Sequence, residues 1–219
     1  MEIIPAILEK NWTEIENKLK LVDGLTEYIQ LDVSDGVFTP VKTWSNPADL
    51  LGLNFKSKIE VHLMVTDPMA EIAKWSESLA SRFVVQVESL KDVQHLMLNM
   101  GKEIVLGFKV ETLWQKYEDF FTTKGNPLPS KGLPFVNRVL FLSVNPGYQG
   151  QEFNESVLEK IKTLKSAHPD IKIEVDGGIN LENISKLKEL GVDSAVVGSA
   201  IFDSADPKQV IDQLKAKIA

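Results

Sequence analysis

Three polar residues interrupt otherwise apolar, β-branched runs and could together do acid–base chemistry. Asp32 lies in Tyr28-Ile29-Gln30-Leu31-Asp32-Val33, Asp176 ends Ile171-Lys172-Ile173-Glu174-Val175-Asp176, and His62 stands inside Ile59-Glu60-Val61-His62-Leu63-Met64-Val65. Two carboxylates and an imidazole suit proton abstraction beside a metal-polarised carbonyl. Each has a plainer reading alone: Asp32 as the cap of the turn at Ser34 and Asp35, His62 as a core histidine. Their joint occurrence favours the chemical reading. Gln30 is two residues from Asp32 and therefore shares its face of the strand. Carboxylates on well-separated strands can face opposite sides of one ligand, so that one removes a proton and the other returns it. That is the chemistry of epimerisation, and the enediolate it forms needs a metal or fixed dipoles on its oxygens.

Glycine-rich turns stand beside these residues. Gly147, Tyr148, Gln149 and Gly150 lie in Asn145-Pro146-Gly147-Tyr148-Gln149-Gly150-Gln151, a loop able to fold over a ligand. Gly177-Gly178 directly follows Asp176, and Gly198-Ser199 follows the next strand-like run. Paired turns of this kind can hold phosphate on backbone amides. His95 and His168 are read as surface or packing residues.

The elements that must position these residues follow from alternation. Eight runs read as strands: Ile3 to Leu8, Tyr28 to Val33, Lys58 to Val65, Arg82 to Val87, Ile104 to Phe108, Val139 to Val144, Lys172 to Asp176 and Ser194 to Gly198. Helical stretches separate nearly all of them, which predicts a parallel sheet closed into a single α/β domain over 1–219, a (β/α)8 TIM barrel. Asn11 and Asn180 are expected N-caps, Asp67-Pro68 and Asp206-Pro207 pair a cap with proline, and Gly191 reads as a C-cap. After the fifth strand a helix-like stretch runs from Trp114 to Phe121. Residues 122–134 then read as an irregular loop, either a surface insertion or a contact with another subunit of a homo-oligomer.

Composition narrows the function classes. The 219 residues contain no cysteine, which excludes thiolate catalysis and Cys-ligated zinc and is compatible with a cytoplasmic location. A net charge of −7, from 31 acidic and 24 basic residues, argues against nucleic acid as a partner. No signal peptide is expected from the N-terminal residues, and no apolar run predicts a membrane span. A small phosphorylated ligand remains the expected partner.

In order along nearly the whole chain, Pro5-Ala6-Ile7-Leu8, Leu31-Asp32-Val33-Ser34-Asp35-Gly36, Val61-His62-Leu63-Met64-Val65, Asn145 to Gln151, Val175-Asp176-Gly177-Gly178-Ile179 and Gly198-Ser199-Ala200-Ile201-Phe202 resemble the ribulose-phosphate 3-epimerase family. The resemblance implies a barrel of the ribulose-phosphate-binding type acting on a phosphorylated ketose in carbohydrate metabolism. It implies that Asp32 and Asp176 are acid/base groups and ligands of one divalent metal, with zinc, iron, manganese, cobalt and magnesium all open. His62 would be a third ligand facing the substrate. Gly177, Gly178, Gly198 and Ser199 would hold phosphate, while Gly147, Tyr148, Gln149 and Gly150 would cover the sugar. The departures fall in the same site. Gln30 stands where the family has a metal-binding histidine, Ala6 replaces serine, Gln86 replaces histidine and Gln149 replaces glycine. An amide oxygen is a harder, weaker ligand than imidazole, so zinc-like binding should suffer. Two outcomes are consistent with these changes: a divergent epimerase, acting on the pentulose or a longer ketose phosphate, or a phosphosugar-binding barrel without the activity.

Overall fold

Strand parity arranges the interior. Side chains on a strand alternate between faces, so residues two apart share one. Gln30 and Asp32, Glu60 and His62, Arg82, Val84 and Gln86, and Glu174 and Asp176 are pairs and triplets of this kind. The computed structural model describes residues 1–75, 77–91, 102–121 and 136–219. In it eight parallel strands close on themselves in sequence order. They are β1 (Glu2–Ile7), β2 (Tyr28–Ser34), β3 (Lys58–Met64), β4 (Ala80–Gln86), β5 (Glu103–Phe108), β6 (Arg138–Leu142), β7 (Lys172–Asp176) and β8 (Ser194–Val197). All eight expected strands are present, no end moved by more than two residues and β7 unchanged, and β1 pairs with both β2 and β8 to seal the barrel. The fold is the expected (β/α)8 barrel.

Six α-helices lie among the described residues: α1 (Trp12–Val22), α2 (Pro68–Trp75), α3 (Val157–Ala167), α4 (Ile184–Glu189), α5 (Ser199–Phe202) and α6 (Pro207–Lys217). Their buried residues recur at helical spacing, as Ile15, Leu19 and Val22 in α1 or Val157, Ile161 and Leu164 in α3. Each such side chain contributes roughly 1.5–3 kcal/mol by leaving water. Asn11 and Asp206 cap α1 and α6 as expected, accepting from Glu14 N at 3.1 Å and Gln209 N at 3.0 Å. Asp67 accepts from Ala70 N ahead of α2, and Gly191 takes φ +75° after α4.

Two local expectations shift. Asn180 does not cap α4. Its side chain closes a turn on Glu182 N, while its own amide donates to Asn183 Oδ1, and the helix starts later at Ile184. The stretch from Trp114 is a 3-10 helix, Trp114–Phe120, rather than an α-helix. Its aromatic side chains meet His168, which packs edge-on against Trp114 and Phe121. His95 and the 122–134 loop, with its subunit-contact reading, lie outside the described residues. No described helix is long and apolar enough to cross a membrane.

Candidate active site

The polar side chains of β2, β3, β4 and β7 meet inside the C-terminal end of the barrel. His62, fully buried on β3, sets Nδ1 3.4 Å from Asp32 Oδ1 and 3.4 Å from Asp176 Oδ2. Gln30, also fully buried, donates from Nε2 to Asp32 Oδ1 at 2.8 Å and to Asp176 Oδ2 at 3.3 Å. The same nitrogen lies 3.5 Å from His62 Nδ1. On the far side of the imidazole, Gln86 Nε2 is 2.7 Å from His62 Nε2. The structure thus brings together Asp32, His62, Asp176 and Gln30, with Gln86, already among the departures read in the sequence, on the far side of the ring.

Local structure holds each strand end. Thr43 Oγ1 donates to the Asp32 carbonyl at 2.8 Å and accepts from Ser34 N at 2.8 Å, pinning the end of β2. Ser143 donates to the carbonyls of Asp176, at 3.0 Å, and of Gly177, at 2.5 Å. Asn183 Nδ2 reaches the Gly178 carbonyl at 2.9 Å. Preorganisation of this kind lets a reacting group keep its aim without a loop rearranging.

The electrostatics are those of a crowded acid–base cluster. Burial by itself would push His62 down, but the hydrogen bonds and charges of Asp176 and Asp32 outweigh it and hold the imidazole up at about 10. Burial pushes the Asp32 carboxyl up, helped by the charge of Asp176 and opposed by hydrogen bonds from His62 and Gln30. Beneath the cluster sits a lattice of buried charge. Arg82 pairs with Glu60 and donates from Nη2 to Glu174 Oε1 at 2.7 Å, while Arg138 Nη1 donates to the same oxygen at 2.8 Å. Burial and the neighbouring Glu60 raise Glu174 to about 8. Sequence reasoning missed this lattice. Its signal was a charged residue two places before His62 and before Asp176, on the face that also carries chemistry.

A cavity lies above Asp32 and Asp176 and is lined by Ala6, Gly147, Tyr148, Gln149, Gly150, Gly177, Gly178, Gly198 and Ser199. The expected glycine-turn residues, with Tyr148, Gln149 and Ser199, border it, whereas His62, expected to face the substrate, is fully buried and does not line it. Gly177 and Gly178 adopt φ +114° and +62°. A Cβ on Gly178 would lie 2.5 Å from Phe153 N, so the backbones approach as only glycine permits. Tyr148 and Gln149 stand exposed at the rim, and Gln151 ties their loop together by donating to the Asn145 and Tyr148 carbonyls.

The donor set fits a divalent cation. Asp32, His62 and Asp176 each offer one ligand atom, all within 4.8 Å of one another. Tetrahedral bonds of ~2.1 Å separate ligand atoms by ~3.4 Å, the separation of His62 Nδ1 from both carboxylates. Gln30 Oε1 is buried and without a hydrogen-bond partner among the described residues. Two carboxylates and an imidazole make a mixed N/O site for a borderline or hard ion.

Residues 2–202 match the family described as the ribulose-phosphate 3 epimerase family. The chain is 28% identical over 227 residues to the cytoplasmic isoform of ribulose-phosphate 3-epimerase from Oryza sativa subsp. japonica, covering 99% of this chain and 94% of that protein. It is 30% identical over 222 residues to ribulose-phosphate 3-epimerase of Aquifex aeolicus (strain VF5), covering 98% and 95%. Among solved structures it resembles 3-hexulose-6-phosphate synthase from Salmonella typhimurium, with a TM-score of 0.71 at 15% identity, covering 100% of this chain and 98% of that one. It also resembles KGPDC from Streptococcus mutans in complex with D-R5P, with a TM-score of 0.70 at 13% identity, covering 99% and 96%. At such identities the structural likeness speaks for the fold.

Proposed function

Because this chain belongs to the ribulose-phosphate 3-epimerase family, whose members are isomerases, we propose that it interconverts D-ribulose 5-phosphate and D-xylulose 5-phosphate at C3. One observation carries the reading: carboxylates from β2 and β7 converge on one cavity, each 3.4 Å from the same imidazole nitrogen. In a two-base reaction one carboxylate starts ionised and the other protonated. Asp176, the more accessible of the two, removes the C3 proton. The C–H electrons become the C2–C3 double bond of a cis-enediolate. Asp32 then delivers its proton to C3 from the opposite face, and the reverse reaction exchanges the roles.

A divalent ion held by Asp32, His62, Asp176 and Gln30 would supply positive charge to the enediolate oxygens. The amides of Gly177-Gly178 and Gly198-Ser199 hold the phosphate, and the loop carrying Gly147, Tyr148, Gln149 and Gly150 shields the sugar from water. The absence of cysteine suits a cytoplasmic enzyme.

The test is NMR of ribulose 5-phosphate with the protein in heavy water, with and without added divalent ions. Xylulose 5-phosphate and deuterium at C3 are expected. A sugar that binds but does not exchange would mean a phosphosugar-binding barrel, and one that neither binds nor exchanges would redirect the search to longer ketose phosphates.

A further inference from the structure

Gln149 reaches across the mouth of the cavity. It stands on the loop after β6, yet its amide lies against the turn after β8, with β7 between them in the barrel. A Cβ placed on Gly198 would sit 3.5 Å from Gln149 Nε2 and 3.9 Å from Gln149 Cδ, which is ordinary contact. The loop does not need this side chain to keep its shape. Gln151 Nε2 donates to the Asn145 carbonyl at 2.6 Å and to the Tyr148 carbonyl at 2.8 Å. Gly147 packs so closely on the turn after β2 that a Cβ there would lie 2.8 Å from Thr39 Cβ. Neither end of the Gln149 amide has a hydrogen-bond partner among the described residues. An exposed glutamine lying across a cavity gives up rotamer freedom, and a ligand that takes up its hydrogen bonds offsets the loss.

The charge of the walls says which ligand. The cavity is lined by Asp32 and Asp176 and, among the described residues, by no lysine, arginine or histidine. A phosphate seated at Gly177-Gly178 and Gly198-Ser199 therefore meets neutral donors only, and one further N–H counts for more there. Which end of the amide faces Gly198 is immaterial. The last torsion of glutamine is broad and roughly two-fold, and a phosphate oxygen takes its hydrogen bond from the nitrogen.

We propose that Gln149 donates from its side-chain amide to the substrate phosphate, so that the loop after β6 is latched by the phosphate rather than by the sugar. The latch rests on the phosphate site of the proposed function and adds to it a specificity-determining residue. Backbone amides fix where the phosphate sits, whereas Gln149 makes closure of the loop conditional on it. A free ketose fills the sugar subsite without closing the loop, so the latch selects phosphorylated ligands. Gln149 stands where the resembling family has glycine, which has no side chain to reach across, so the latch belongs to this chain.

Inorganic phosphate, titrated by calorimetry, tests the latch without sugar. The proteins are the wild type, Gln149→Met, which keeps the length and loses the amide, and Gln149→Glu, which puts a negative charge in its place. Hydrogen exchange of residues 147–150 is followed with and without phosphate. Binding should weaken about tenfold in Gln149→Met, the worth of a hydrogen bond to a charged group, and further in Gln149→Glu. Phosphate should slow exchange of the loop in the wild type and not in Gln149→Met. Unchanged affinity in Gln149→Met would make the side chain a bystander, tighter binding would make it a plug, and equal protection of the loop would mean that another group closes it. Each of these outcomes overturns the proposal. Should the variants fail to fold, the wild type decides, because phosphate that binds without slowing exchange of the loop overturns it as well. A wild type that binds no phosphate removes the latch and the phosphate site together. The expected phosphate results without deuterium at C3 would count against the epimerase reading alone.

Discussion

Asp32 and Asp176 share a partner, and removing either charge has a readable consequence. Asp176→Asn keeps the shape of the side chain but cannot take a proton, so C3 deuterium exchange should fall by about 10²–10⁴-fold. Stability should fall by only about 1 kcal/mol, the worth of a hydrogen bond, because Asp32 still faces His62. NMR exchange and urea unfolding of the same variant check both parts. Gln86→Leu should weaken divalent-ion binding by about 10–100-fold, since the imidazole loses the group that orients it. Calorimetry on that variant measures this, and unchanged affinity would show that Gln86 does not steer the ring. The three chemical residues were legible because a polar side chain inside an apolar strand needs a reason. The role of Gln86 was not legible, because only the closed register of β3 beside β4 sets it opposite His62 Nε2.

Eight strands could be read from alternation because each carries a dry face toward the helices and a mixed face inward. The connections were less legible. After β2 and β4 the chain forms short 3-10 turns, Pro47–Leu50 and Val87–Ser89, whose few residues give no helical period to recognise. The turn after β7 depends on close backbone approach as well as on the Ser143 and Asn183 side chains. In Gly178→Ala the added Cβ meets Phe153 N at 2.5 Å and Gln151 O at 2.8 Å, at a φ of +62°. The variant should lose about 2–4 kcal/mol in urea unfolding and bind inorganic phosphate at least tenfold more weakly. Lys160 on α3 makes a pH prediction. Its ammonium donates to the Lys109 carbonyl at 2.6 Å beyond β5, and burial pushes it down to about 8 from its ordinary 10.5. Between those values the unfolded chain holds a proton that the folded chain has released, so this group makes stability rise with pH across that window. Lys160→Met should flatten the rise in urea midpoints taken from pH 7.5 to 10.5 (about the span of the two pKa values).

At the scale of the whole molecule, the floor beneath the site is ionic where a barrel interior is more often filled with branched apolar side chains. Arg82 contacts Glu60 from β3 and Glu174 from β7, and it stacks 3.8 Å over the Tyr28 ring on β2. Arg82→Met should cost about 3–5 kcal/mol, because two fully buried carboxylates lose their main counter-charge. Adding Glu60→Gln and Glu174→Gln should recover much of the loss. Urea denaturation of the single and triple variants measures both. If the triple variant is no better than the single, packing rather than charge explains the penalty. Local sequence signalled Glu60 and Glu174 by strand parity but not their pairing, since the lattice's partners lie up to 92 positions apart.

That span limits how the chain can be divided. A fragment ending after β4 would carry Arg82 with Glu60 but without Glu174. The complementary fragment would carry Glu174 with Arg138 but without Arg82. Each half would keep one ion pair but lose the link between them, Arg82 Nη2 to Glu174 Oε1, so neither should fold to a stable half-barrel, yet the two mixed together should restore it. The ionic floor acts as a clasp on the barrel: it closes only when the first half of the chain has met the second.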